Sequence, residues 1–300
     1  LRQNKLFIFS IVATLGMFIV ILMGALVTNT GSANGCGRSW PLCYGEVVPS
    51  DVKKETLIEF SHRIISGLMG LIVIIHAIWS WLRYAHIKWT KLLAVLSVFF
   101  VAFQGLLGGA AVIWQQSSFI LALHFGFSLI SFASVLMLTI IVYEQTRYRT
   151  TIRPKITTAM RLNLTGMFIY LYLLIYSGAF VRHTDSALGC RGWPLCNGEW
   201  IPELYSRAGV QFIHRVLAGV LIIWLATTFI RVVLKYRDEV WLYWGITLSI
   251  GLILLQAFTG AMVVLTLMDI SFLLLHASFV TLLFGALGFL VMIAWRKPRS

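Results

Sequence analysis

Charge is what this chain has least of. Only 12% of its 300 residues are charged, against 59% hydrophobic, where a soluble domain is about one quarter charged. That excludes an ordinary water-soluble globule. Acids are scarcer than bases, 11 against 24. Ten-residue segments of alternating polarity are missing, which argues against a membrane β-barrel. No small-residue cleavage site follows the first apolar stretch, so that stretch reads as a retained helix and not a signal peptide.

What fills the chain is apolar length. Runs occupy 6–28, 64–82, 92–114, 119–143, 162–181, 210–230, 241–268 and 270–295. Each approaches or exceeds the roughly 20 residues a helix needs to cross a bilayer. The expectation is an all-α integral membrane protein with eight transmembrane helices. The net charge of +13 resides almost wholly in one set of connections. Segments 1–5, 83–91, 147–161, 231–237 and 296–299 hold sixteen of the 24 basic residues, and the opposite set holds eight of the 11 acids. Positive charge marks the cytoplasmic side. Both termini are therefore expected in the cytoplasm, with the cysteine-bearing loops near 29–58 and 182–208 extracytoplasmic. The implied charged partner is anionic lipid, not nucleic acid.

The chain also repeats itself. His62 and His124 are 62 residues apart, as are His214 and His276. Leu121-Ala122-Leu123-His124 matches Leu273-Leu274-Leu275-His276, Gly24-Ala25 matches Gly178-Ala179, and Trp-Pro-Leu-Cys occurs at 40–43 and 193–196. A basic stretch at 144–161 containing Pro154 separates the copies. The predicted architecture is two tandem four-helix bundles, 1–150 and 151–300. An even helix number gives both one orientation, related by a pseudo-twofold axis along the membrane normal. Gly105 and Gly109, matched by Ala257 and Ala261, read as small residues for close helix packing.

Two histidines at similar depth on the second and fourth helices of each copy can face one another across a bundle. Zinc or copper would call for more ligands per centre. Two suffice when a porphyrin supplies four nitrogens, so His62, His124, His214 and His276 read as axial ligands of two haem irons. No Cys-x-x-Cys-His occurs, so covalent attachment is not expected. Arg63 and Arg215 each follow a ligand and suit a haem propionate; the plainer reading is a rim charge. His76 and His86 read as packed or pore-facing polar groups, His183 as a loop residue, and Gln104 and Gln256 as packing.

The copies differ at one telling place. Glu59 precedes His62 by three residues, on the same helical face, whereas Gln211 precedes His214. An intramembrane acid is a functional candidate, so chemistry is assigned to the first copy. The plainer reading is a solvated acid at a helix start. Cys36 with Cys43, and Cys190 with Cys196, are disulfide candidates. They are either loop staples or, for Cys36 and Cys43, a redox-active or substrate-binding pair.

Gly31-Ser32 leading to Cys36, Trp40-Pro41-Leu42-Cys43, Glu59-Phe60-Ser61-His62-Arg63, Gln104 through Gly109, Leu123-His124-Phe125-Gly126 and their second-copy counterparts form one pattern. Over essentially its whole length the chain resembles the haem A synthases of the Bacillus type. The resemblance implies an eight-helix oxidoreductase converting haem O to haem A by oxidising the C8 methyl to a formyl group, for cytochrome oxidase biogenesis. It implies a permanent haem b on His214 and His276, substrate haem on His62 and His124, and Glu59 as the essential acid. It matches Cys36 and Cys43 to the family's N-terminal cysteine pair. Pathway logic adds a haem O synthase as partner, with quinone one candidate electron acceptor. Two other classes compete: a di-haem cytochrome b-type quinol oxidoreductase subunit, and a haem-free membrane thiol oxidase.

Overall fold

A computed structural model of the protein describes residues 2–50, 52–114 and 117–296, with backbone alone at Arg2, Gln3 and Ser118. Lys297 and Arg299, counted above among the cytoplasmic bases, lie outside the described residues, as do Gln115 and Gln116 of a short outer turn. The chain divides into two compact units, Leu1–Thr151 and Ile152–Ser300.

Unit one contains α1 (Arg2–Asn29), α2 (Lys54–Tyr84), α3 (Thr90–Ile113) and α4 (Ser118–Arg147). Helices consecutive in sequence pack together, and α1 also packs on α4, closing the ring. Unit two contains α5 (Thr158–His183), α6 (Arg207–Lys235), α7 (Val240–Leu265) and α8 (Ile270–Ala294). It closes in the same way, through α5 against α8. All eight are long and apolar enough to cross a membrane, and the protein is a multi-pass membrane protein.

Each helix sorts its apolar residues between two solvents. On α1, Ile8, Val12, Leu15 and Ile19 recur at helical spacing and are exposed, while Leu6, Ala13 and Met17 are fully buried. The exposed stripe suits lipid tails and the buried one suits neighbouring helices. Many hydroxyls inside the spans are satisfied by neighbouring protein groups, since hydrocarbon offers no partner. Ser10, Thr14 and Thr139 form one such group in unit one, and His76 Nε2 lies 2.9 Å from Ser10 Oγ. Unit two has no histidine there. Asn163 donates to Thr228 at 3.0 Å and accepts from the indole of Trp224 at 2.9 Å.

Four expectations are corrected. Helix α2 begins ten residues before its apolar run, so the loops of the two units contract to 30–53 and 184–206. His183 ends α5 and His86 sits exposed in the turn after α2, so neither occupies its expected segment. The connection between copies narrows as well, because Glu144 and Arg147 belong to α4 and Glu144 is buried. Glycine packing also differs from expectation. A Cβ on Gly105 would meet nothing within 4 Å, while one on Gly109 would fall 2.9 Å from the Trp40 indole. The small residue admits a loop side chain, not another helix.

Candidate functional site

The second and fourth helices of each unit carry their histidines about two turns from the starting end. His62 lies eight residues into α2 and His214 seven residues into α6. His124 and His276 each lie six residues into α4 and α8. At ~1.5 Å per residue these depths agree to within about one turn. His62 is within electrostatic range of His124, and His214 within that of His276.

Each ring rests against a glycine of the helix before it. A Cβ would come within 3.4 Å of His62 Cε1 from Gly24, 3.3 Å of His124 from Gly108, 3.1 Å of His214 from Gly178 and 3.0 Å of His276 from Gly260. A Cβ at Gly108, Gly178 or Gly260 would press on the imidazole, and one at Gly24 would just touch it. The rings are also held by hydrogen bonds. His124 Nδ1 lies 2.7 Å from the Gln104 carbonyl, and His276 Nδ1 lies 3.1 Å from the Gln256 carbonyl. His214 Nδ1 meets Ser177 Oγ at 2.7 Å, and His62 Nδ1 meets Ser66 Oγ at 3.4 Å. Bonds at Nδ1 fix the ring and leave Nε2 as the available ligand atom. At His276 that atom lies 3.0 Å from the Gln256 amide nitrogen. The Gln104 and Gln256 side-chain oxygens are buried without hydrogen-bond partners.

Above the histidines the cysteine loops fold alike. Cys36–Cys43 and Cys190–Cys196 are disulfides, and no cysteine is free. Each second cysteine begins a two-residue hairpin, Cys43 exchanging backbone bonds with Glu46 and Cys196 with Glu199. The central residues Tyr44-Gly45 and Asn197-Gly198 all have positive φ, as a type I′ turn requires. Both Trp-Pro bonds, 40–41 and 193–194, are cis.

Glu59 and Gln211 tie these loops to the helices. Glu59 is 3% exposed, and its Oε2 accepts the Cys36 amide N–H at 2.8 Å. Its Oε1 accepts from Arg63 Nε at 3.1 Å and forms an ion pair with the same guanidinium. Gln211 Oε1 accepts the Cys190 N–H at 2.5 Å, and its Nε2 donates to the Ala187 carbonyl. The plainer reading of Glu59, a solvated acid, does not hold.

The arginines do something not anticipated from the sequence. Arg63 donates to the Ser39 and Leu42 carbonyls at 2.8 and 2.7 Å, and Arg215 donates to Gly192 and Cys190 at 2.9 and 3.2 Å. Both clamp the cysteine loops. Their acceptors are backbone carbonyls, which leave no mark in the sequence. Asn197-Gly198, by contrast, is a hairpin signal that was there to be read.

Residues 7–288 match the COX15-CtaA family, described as cytochrome oxidase assembly protein. The heme A synthase of Geobacillus kaustophilus is 45% identical over 298 residues, covering 99% of this chain and 94% of that protein. Those of Shouchella clausii and Halalkalibacterium halodurans are also 45% identical, over 95% and 98% of this chain and 96% and 99% of theirs. Placed beside the paired histidines and disulfide loops, these likenesses establish that the chain belongs to the COX15-CtaA family and, within it, to the haem A synthases.

Proposed function

We propose that the protein oxidises the C8 methyl of haem O to the formyl group of haem A, with substrate bound in unit one and a resident haem b in unit two. The observation that carries the assignment of roles is the contrast between Glu59 and Gln211, which occupy one position in otherwise parallel settings. Only unit one offers a carboxylate.

The residues fit a porphyrin. Among the described residues no three His, Cys, Asp or Glu side chains cluster as metal ligands, so an iron here draws most of its ligands from elsewhere. In unit one both imidazoles are pinned at Nδ1 with Nε2 unengaged; in unit two His214 is the same, and the Gln256 amide at His276 Nε2 would turn aside when an iron takes its place. Glycine at every ring supplies the clearance a flat macrocycle needs. Haem b between His214 and His276 would supply one-electron redox chemistry.

This chain's residues then divide the work. His62 and His124 grip the substrate iron from both faces, leaving no open position for oxygen. The methyl carbon therefore gives up two electrons and one proton, and water adds to the resulting cation, losing a second proton. A second such round gives a geminal diol, which loses water to the aldehyde. Glu59 supplies negative charge beside the cation. Its bonds to Cys36 and Arg63 hold it in place. The Cys36–Cys43 loop covers this carboxylate, and its disulfide is the nearest protein redox couple to it. The four electrons need an external acceptor, for which a quinone is the candidate class; His214 and His276 would hold the haem that supplies one-electron chemistry on the way. The charge distribution supports a cell-membrane protein with cytoplasmic termini and extracytoplasmic cysteine loops, so substrate from a haem O synthase would arrive through the bilayer.

A test is to extract non-covalent haems from purified protein and identify them. Haem b together with haem O or haem A is expected, and haem b alone would count against the substrate site. Labelled water should place its oxygen in the formyl group. Label arriving only from oxygen gas would reject water addition.

A further inference from the structure

The sequence singles out Arg63 and Arg215 for the porphyrin carboxylates, yet both guanidiniums are engaged with loop carbonyls. Another arginine is not. Arg182 lies near the C-terminal end of α5, half-buried, and its Nε is buried with no hydrogen-bond partner. It stands four residues beyond Gly178, the glycine against the His214 ring. Residues four apart share a helix face, about 6 Å apart along the axis. The Arg182 backbone is thus one turn beyond Gly178, towards the cysteine loop. A buried N–H donor without a partner is costly unless an acceptor completes it, and an anion suits an arginine best.

Unit one has no such group. Counting four residues from Gly24 reaches Thr28, whose hydroxyl is turned back to the Gly24 carbonyl at 3.1 Å. The next residue pair differs as well, Asn29 in unit one against His183 in unit two. Other features around the glycines correspond. Thr30 meets Ser32 at 2.7 Å and Thr184 meets Ser186 at 2.8 Å.

We propose that Arg182 binds a carboxylate of the porphyrin held by His214 and His276, and that the neutral Thr28 leaves the unit-one porphyrin free to exchange. The same pair of imidazoles thereby serves a retained cofactor in one unit and a passing substrate in the other. This rests on the haem assignments of the preceding section.

The experiment uses full-length protein purified in detergent with its pigment, and follows haem b release to excess apomyoglobin by the Soret band. Arg182→Leu is expected to release haem b about tenfold faster, the scale of a lost charge-assisted hydrogen bond, while Arg182→Lys stays nearer the parent. Loaded with the dimethyl ester of iron protoporphyrin, parent and Arg182→Leu should release at one rate, which a merely structural defect would not produce. Thr28→Arg should slow the release of haem O from unit one. An unchanged haem b release rate in Arg182→Leu, alongside pigment loss in His214→Ala, overturns the role of Arg182 alone. Full retention of haem b by His214→Ala overturns the haem assignment beneath it. Unaltered haem O release in Thr28→Arg overturns the account of exchange.

Discussion

Glu59 and Gln211 make the same bond and are not the same residue. Each accepts the amide of the first loop cysteine, so each fastens a disulfide loop to the helix that carries a histidine. They part at the second atom. The carboxylate turns to Arg63, and the amide donates to Ala187. The arginine one position after the histidine follows suit. Arg63 divides itself between Glu59 and the loop, whereas Arg215 bonds the loop alone. A single oxygen-to-nitrogen exchange preserves the architecture and changes the charge. Duplicated folds can specialise this way because the structural bond needs only an acceptor, while chemistry needs a carboxylate.

The comparison can be broken most severely at the histidines. His62→Ala and His214→Ala should both abolish haem A formation, but with different pigment. The first should keep haem b and the second should lose it, by haem extraction. Equal pigment in both would erase the distinction between units. Next in size is the loop hinge. A Cβ on Gly35 would fall 2.3 Å from the Glu55 carbonyl oxygen, and one on Gly189 would fall 2.5 Å from that of Arg207. Backbone cannot yield as a side chain can. Gly35→Ala and Gly189→Ala should each cost about 1–3 kcal/mol, the range for overpacking, by thermal unfolding in detergent. A large cost in one unit only would show that the loops are not equivalent.

Smaller effects sharpen the ring contacts. Gly108→Ala and Gly260→Ala place a methyl 3.3 and 3.0 Å from the imidazoles. Each should tilt its ring and shift the electron paramagnetic resonance of the iron in its own unit only, with stability lowered by about 1 kcal/mol. The least effect is expected of Gln211→Glu. The carboxylate keeps the Cys190 bond and loses the donation to Ala187, a change on the order of 1 kcal/mol, with haem A yield unaltered.

Much of this was legible. Periodic apolar length gave the eight helices, and the repeated histidine spacing gave their four marked positions. The cysteine separations gave both disulfides. What was hidden has physical reasons. The outer loop was read as reaching residue 58, past the start of α2 at Lys54, because Lys54, Glu55 and Thr56 are polar and hydropathy counts polar residues as loop wherever they point. The glycine pattern misled because Gly105 and Gly109 form a recognised spacing, while Gly108 between them is the one that meets the His124 ring. Arg182 carried no motif at all. Its significance lies in a buried Nε without a partner, which only side-chain packing reveals.

The claim that unit one does chemistry and unit two does not is tested most directly by the haems of cells expressing Glu59→Gln as their only copy. Gln211 demonstrates that an amide can hold the loop, so the fold and the haem b should survive. Haem O should accumulate, with haem A reduced by about a hundredfold or more. Haem A at the parent level in that variant would contradict the account.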